Sequence, residues 1–283
     1  MKIPDRLGEL ATFPGGAEWL ARLPQLVAEC ADQWSLTLEE PYAYANVSIV
    51  YPAGDAVLKV GFPHWESEHE AAALLHWNGN GAVQLYAHDA ERNALLLERC
   101  RPGTSLLEVP EHEGYPAAAR VLPRLWEQPA PDDAVFTPIA RTAGRWEREL
   151  PERWLGADRP FERQLLDAAV TALRELPPTQ AALVVCHQDF HRQNVLAAER
   201  QPWLAIDPKP VVAEPAFDTA ALIRDGPGDP VRRLDYLAAE LGLERDRMRG
   251  WAIAHTVAWG FDEHAPRVHE RMIDVARRLC SAP

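Results

Sequence analysis

Residues 184–210, VVCHQDFHRQNVLAAERQPWLAIDPKP, set short polar side chains between runs that read as buried. LVV at 183–185 and WLAID at 203–207 read as two short strands, each bringing a carboxylate, Asp189 and Asp207, to its exit. Isolated buried polar groups are costly, so such a cluster demands partners, a ligand or a metal. At 283 residues the chain exceeds one ordinary core, which predicts two lobes. Its 47% hydrophobic and 25% charged residues are ordinary for a soluble globular protein. No apolar run approaches the roughly 20 residues of a membrane span, and the N-terminus has no secretory pattern, so no membrane role and a cytoplasmic location are expected. Cys30, Cys100, Cys186 and Cys280 form no CxxC pair, which argues against a disulfide framework or zinc site. The formal net charge of −13 disfavours nucleic acid and favours a cationic small molecule.

Outward from this stretch the pattern divides. Trp19, Leu20, Leu23, Leu26 and Val27 recur at helical spacing, predicting an N-terminal helix over 17–30. WSLTLEE (34–40), YANVSIVYP (44–52) and DAVLKVGF (55–62) read as a meander of antiparallel strands, with YPAGD (51–55) as the turn between the last two. HWESEHEAAALLHWNGNG (64–81) reads as a helix ending at Gly79 and Gly81, and 82–100 as two strands joined by HDAERN. Beyond Arg101-Pro102-Gly103 the pattern is mainly helical, including 115–128, 135–150 and 161–175, and the 25 prolines are expected to break this half into short helices. The division is therefore 1–100, a small α+β lobe that binds nucleotide, and 101–283, a helical lobe with the catalytic loop and substrate site.

His187, Asp189 and Asn194 fit H-x-D-x-x-x-x-N, with Asp207 thirteen residues further on. That spacing is the catalytic loop of phosphoryl-transfer kinases. A carboxylate at Asp189 can accept the proton of an attacking hydroxyl, while Asn194 and Asp207 can share magnesium, a hard cation that takes oxygen ligands and keeps waters. In AVLKV, Lys59 lies on a strand between apolar residues, where an unpaired ammonium is expensive, so it calls for a carboxylate.

VLKVGFPHWESEHEAAAL (57–74), LLLERCRPGTSL (95–106), CHQDFHRQNVL (186–196) and WLAIDPKPVVAEPAFDTA (203–220), in this order, resemble the aminoglycoside phosphotransferases, in particular their streptomycin 6-kinase and hydroxyurea phosphotransferase branch. The resemblance implies an α+β, bilobal protein-kinase-like fold with ATP, or another nucleoside triphosphate, between the lobes. It implies Asp189 as catalytic base, Asn194 and Asp207 as magnesium ligands, and Lys59 as phosphate contact paired with a helix glutamate. Glu66, Glu68 and Glu70 are the candidates for that partner; Glu70 directly precedes the inward-packing AAALL and is preferred, with Glu66 as the alternative. Glu98 to Cys100 resembles the hinge that presents backbone groups to adenine. No glycine-rich loop covers the phosphates; AYANVSIV (43–50) stands there, with Asn46 and Ser48 as substitute donors. IDPKP replaces a DFG-like turn. Glu214 and Asp218 brace the loop, by resemblance and by their place at a predicted helix start, and His187 is a hydrogen-bonded scaffold. The implied reaction is magnesium-ATP-dependent phosphorylation of a hydroxyl on a small, cationic acceptor of the streptomycin type, inactivating an antibiotic; hydroxyurea or another hydroxylated metabolite is the alternative.

Substrate contacts are expected from the helical lobe, where RDGPGD (224–229) and AWGFDEH (258–264) carry Asp225, Asp229, Asp262 and Glu263, residues that equally suit solvated helix ends. Trp251, His255, Trp259 and Phe261 lie near helical spacing and suit a core stripe before a substrate platform. Two rival classes stand beside the kinase reading. His187, Asp189 and His191 form an H-x-D-x-H cluster that a metallohydrolase could use, which leaves Lys59 unexplained. A catalytically silent nucleotide-binding module is opposed by the filled catalytic and metal positions.

Overall fold

The computed structural model describes residues 4–43, 47–64, 68–132, 134–262 and 265–282. The chain divides into two compact units, Met1–Gly103 with Ala197–Leu204, and Thr104–Leu196 with Ala205–Pro283.

The first unit begins with a short turn of helix, α1 (Asp5–Gly8), followed by α2 (Gly16–Gln33). A Cβ at Gly16 would lie 1.7 Å from the Leu10 carbonyl oxygen, so only glycine permits this close approach where α2 starts. Trp19, Leu23, Leu26, Val27 and Cys30 form one face of α2 and pack with Leu7, Leu10, Ile49, Leu58 and Val60 into a core. The strands are β1 (Ser48–Ala53) and β2 (Ala56–Gly61), then, after helix α3 (Glu70–Trp77), β3 (Leu85–Asp89) and β4 (Ala94–Glu98). Gly54, at φ 63°, turns the tight β1–β2 hairpin, in which Ala53 faces Ala56.

The sheet order is β1-β2-β4-β3, all antiparallel, and Lys59 lies on the interior strand β2 opposite Val50 and Leu95. Asn78 and Gly79, both at positive φ, stop α3. This helix starts at Glu70, later than the sequence pattern implies. Segment 34–40 is not a strand of the sheet. Its alternation is real, because Trp34, Leu36 and Leu38 pack on the core. Only isolated bonds tie the region to β1, from Glu39 N to Pro52 O and Tyr42 N to Val50 O (both 2.9 Å), too few for a ladder.

In the second unit the helices α4 (Glu111–Leu125), α5 (Ile139–Gly156) and α6 (Arg163–Glu175) precede β5 (Val184–Cys186); β6 (Val195–Ala197) and β7 (Trp203–Ala205) flank the 197–204 segment of the first unit, and β8 (Val211–Ala213) follows. Strand β5 pairs antiparallel with β8, and β6 with β7, so β6 and β8 add to the two strands expected from sequence. Then follow α7 (Pro215–Asp218), α8 (Ala220–Arg224), α9 (Pro230–Leu241), α10 (Arg245–Trp259) and α11 (Glu270–Cys280). Helix α10 buries Met248, Trp251, Ala252, Ala254, His255 and Val257 around its circumference, as a central helix must.

The prolines break fewer helices than expected. Pro116 and Pro123 lie inside α4 and Pro151 inside α5, each removing one N–H from a helix long enough to keep its remaining bonds and its buried face. Among the described residues no helix is long and apolar enough to cross a membrane. All four cysteines are free thiols, Cys30, Cys100 and Cys186 being buried.

Candidate active site

In the first unit Lys59 Nζ donates to both carboxylate oxygens of Glu70, each at 2.7 Å. Glu70 is buried, and the pair satisfies the demand that an ammonium on a central strand creates. Glu66 lies outside the described residues, as does Asn46. Ser48 is half-buried at the first position of β1, paired with Gly61. At the end of β4 the N–H of Glu98 donates to Gln84 O (2.8 Å) and that of Arg99 to Asp55 O (3.0 Å).

The side chain of Glu98 has a definite partner. Its carboxylate accepts two bonds from the Arg200 guanidinium, at 2.8 and 2.7 Å, while Arg200 also donates to Gly79 O and Ala82 O. Arg200 lies in the segment 197–204, which belongs to the first unit together with residues 1–103. Burial pushes the neighbouring Cys100 thiol up to about 12.

In the second unit the motif of 187–194 is stitched in place by its own backbone. Asp189 N donates to His187 O (2.8 Å), His191 N to Asp189 O (3.0 Å) and Asn194 N to His191 O (2.9 Å). Asn194 Nδ2 donates to Asp189 O at 3.1 Å. Ile206 N donates to Asn194 O at 2.9 Å and Lys209 N to His187 O at 3.0 Å, so the turn that carries Asp207 is bonded to the loop that carries Asp189. Asp207 itself adopts a left-handed φ of 59°, a conformation aspartate tolerates better than most residues. His187 is fully buried, and burial lowers its pKa; the neutral ring donates from Nε2 to Ile206 O at 2.9 Å.

Asp189 is 7% exposed, and its carboxylate faces Arg224 (3.2 Å), Lys209 (3.4 Å) and His191 (3.6 Å). Burial pushes its pKa up, but the charges of Lys209, His191 and Arg224 outweigh burial and hold it below the usual carboxylate range. Lys209 Nζ and the Arg224 guanidinium both lie over the Trp259 ring, at 4.5 and 4.6 Å from its centroid. His255 stacks on the same indole at 4.6 Å and accepts a 2.8 Å bond at Nδ1 from Arg224 Nη1. Trp251, His255 and Phe261 are core residues, as the stripe implied, whereas Trp259 is half-buried beside the Asp189 cluster.

Asp218 braces the loop directly. It is wholly buried, its Oδ1 accepting from Gln188 N (2.8 Å) and its Oδ2 from Trp126 Nε1 (2.9 Å). Because both oxygens accept, Asp218→Asn presents an amide N–H to one of these donors and is expected to cost about 1–3 kcal/mol, read as a lowered urea midpoint.

Glu214 does something other than expected. Its carboxylate binds Arg247 and the Trp251 indole N–H on α10 and makes no side-chain bond to the loop, since α7 turns it toward that helix. The acidic candidates for substrate contact are also structurally engaged. Asp225 Oδ2 accepts from Arg192 N (3.1 Å) and Nε (3.0 Å), tying down the loop. Asp229 caps α9 through Val231 N (3.1 Å), and Asp262 closes a turn by accepting from Ala265 N (3.1 Å) and Arg267 Nε (2.7 Å). Glu263 lies outside the described residues. The H-x-D-x-H cluster does not assemble as a metal site: His187 points to a carbonyl, and among the described residues no group of three or more His, Cys, Asp or Glu is placed to hold a metal ion.

Sequence reasoning passed over Lys209, Arg224 and Arg192. Lys209 had a signal, a cation set between two prolines two residues after Asp207, whereas Arg224 had none, being 35 residues from Asp189.

Residues 44–263 match the family model described as aminoglycoside/hydroxyurea antibiotic resistance kinase. A streptomycin 6-kinase from Streptomyces griseus is 34% identical over 98% of this chain and 96% of its own length. A hydroxyurea phosphotransferase from Kitasatospora aureofaciens is 32% identical over 99% of this chain and 86% of its own. Among solved structures, a choline/ethanolamine kinase family protein from Mesorhizobium loti superposes with a TM-score of 0.67 at 16% identity, covering 99% of this chain and 95% of that one, a likeness of fold alone. With its α+β, protein-kinase-like fold and its stitched H-x-D-x-x-x-x-N loop, this chain belongs to the aminoglycoside/hydroxyurea antibiotic resistance kinase family.

Proposed function

We propose that this protein transfers a phosphoryl group from magnesium-ATP to a hydroxyl of a small cationic acceptor of the streptomycin type, with Asp189 as general base. The observation that carries the reading is the bonding of Asn194 to the Asp189 carbonyl and to Ile206 N, which gathers the base and both oxygen donors into one hydrogen-bonded frame. The donor set suits a hard divalent cation. Asn194 spends its amide N–H on Asp189 O, which leaves Oδ1 as a ligand, and Asp207 adds a carboxylate; two protein oxygens suffice for an ion that keeps waters and binds phosphates. When bound, magnesium-ATP supplies the phosphoryl group and the charge neutralisation. Lys59, held extended by Glu70, contributes a fixed ammonium for phosphate oxygens. Asp189 orients the acceptor hydroxyl and takes its proton on a carboxylate oxygen.

The acceptor class rests on the 34% identity with the streptomycin 6-kinase and agrees in sign with the net charge of −13. Hydroxyurea is the second reading, favoured by the comparably extensive match to the hydroxyurea phosphotransferase. A coupled ATP-consumption screen across streptomycin, other aminoglycosides, hydroxyurea and simple sugars, with mass detection of the product, separates them. Streptomycin is expected to gain one phosphoryl group. Robust turnover of hydroxyurea with none of streptomycin would replace the first acceptor by the second.

A further inference from the structure

We infer that Arg224 is a positioning residue for the Asp189 carboxylate, held in place for that task by His255. The inference rests on the reading of Asp189 as base. Arg224 ends α8, Asp189 follows β5 and His255 lies within α10, so the guanidinium ties the loop to two helices. Arg224 Nη2 donates to Asp189 Oδ1 at 3.2 Å, while Nη1 bonds His255 Nδ1 at 2.8 Å and the guanidinium rests on Trp259. Two donors of one rigid fork are thus fixed at different partners, which sets the direction from which Asp189 is held.

His255 is suited to this role only when neutral, because Nδ1 must accept. Burial, reinforced by the nearby charges of Arg224 and Lys209, lowers its pKa well below that of an ordinary histidine. Arg224 faces the carboxylates of Asp189 and Asp225, and Asp189 also faces the Lys209 ammonium and the titratable rings of His191 and His187. Lys209 cannot hold the carboxylate in the same way. Its single ammonium stands 3.4 Å away on a side chain 27% exposed, whereas the Arg224 side chain is 8% exposed. A plain structural ion pair would stabilise the fold without regard to turnover; a positioning residue acts on the chemical step, because a base displaced by about 1 Å costs roughly 100-fold.

The test measures kcat, both KM values and thermal unfolding for Arg224→Gln, Arg224→Lys, Asp189→Asn and the Arg224→Gln/Asp189→Asn double variant, with magnesium-ATP and streptomycin or hydroxyurea as acceptor. Arg224→Gln is expected to lower kcat about 100-fold with both KM values within about threefold of the parent, and Arg224→Lys to recover about tenfold of that loss. In the Asp189→Asn background the Gln substitution is expected to add less than about twofold, since there is no carboxylate left to aim. Should Arg224→Gln fail to fold, Arg224→Lys and His255→Leu carry the test, each with an expected kcat loss of about tenfold at unchanged KM.

Near-parental kcat in the folded Arg224 variants, a loss confined to KM, or a full multiplicative loss in the double variant each overturns the role. Near-parental turnover in Asp189→Asn, or a parent protein that turns over neither acceptor, removes the underlying reading and this role with it. An inactive Asp189→Asn beside a fully active Arg224→Gln removes the Arg224 role alone.

Discussion

Asp189→Asn is expected to lower turnover by about 1000-fold while leaving magnesium-ATP affinity within about threefold of the parent. The substitution keeps the shape of the side chain, and the backbone bonds of the loop, from Asp189 N to His187 O and from Asn194 Nδ2 to Asp189 O, do not involve the carboxylate. What disappears is the capacity to take a proton, together with the charge that balances Arg224 and Lys209. Single-turnover phosphorylation separates the chemical step from binding. A rate within a few-fold of the parent would remove Asp189 from the mechanism. A fall in rate accompanied by an equal fall in ATP affinity would instead assign the residue to holding the loop.

Asp207→Asn is expected to weaken nucleotide binding specifically when magnesium is present, and to lower turnover by about 100- to 1000-fold, the loss of several kcal/mol of charge stabilisation. Asparagine is the informative choice because Asp207 sits at a φ of 59°, where asparagine is tolerated and alanine adds backbone strain of its own. The variant retains an oxygen donor and loses the anionic one, so the result isolates the charge of the ligand. Calorimetric titration with ATP, with and without magnesium, reads the difference: the magnesium-dependent gain in affinity should shrink, and the magnesium-free affinity should stay. Unchanged magnesium-ATP binding would show that Asp207 is not a ligand.

Several features of the site were open to reading because they are local. The H-x-D-x-x-x-x-N loop folds on hydrogen bonds between residues two to five positions apart, so its spacing carries its geometry. Lys59 and Glu70 are eleven residues apart: an ammonium on an interior strand must meet a carboxylate, and the resemblance pointed to the following helix for it. The extended segment 34–40 behaves differently. Its alternation announced one apolar side, which the structure packs on the core, but alternation says nothing about which backbone groups find a ladder.

By itself the sequence determined the α+β class, the helical character of the second half and the H-x-D-x-x-x-x-N spacing, since each follows from periodicity or spacing, and it required a carboxylate for Lys59 through the cost of a buried charge, while the resemblance pointed to the helix that supplies it. Only the tertiary structure decided what surrounds Asp189 and what the remaining acids do. Arg224 reaches the carboxylate from 35 residues away, and His255, 66 residues from Asp189, reaches Arg224 because α10 packs against α8. Asp225, Asp229 and Asp262, which in the linear chain suit substrate contacts or helix ends equally, are engaged by Arg192, by the start of α9 and by Arg267. Glu214, assigned to the loop, faces α10 instead. The physical reason is common to all of them: a charged side chain is spent on whichever partner packing brings within about 3 Å, and that choice is made by the whole fold.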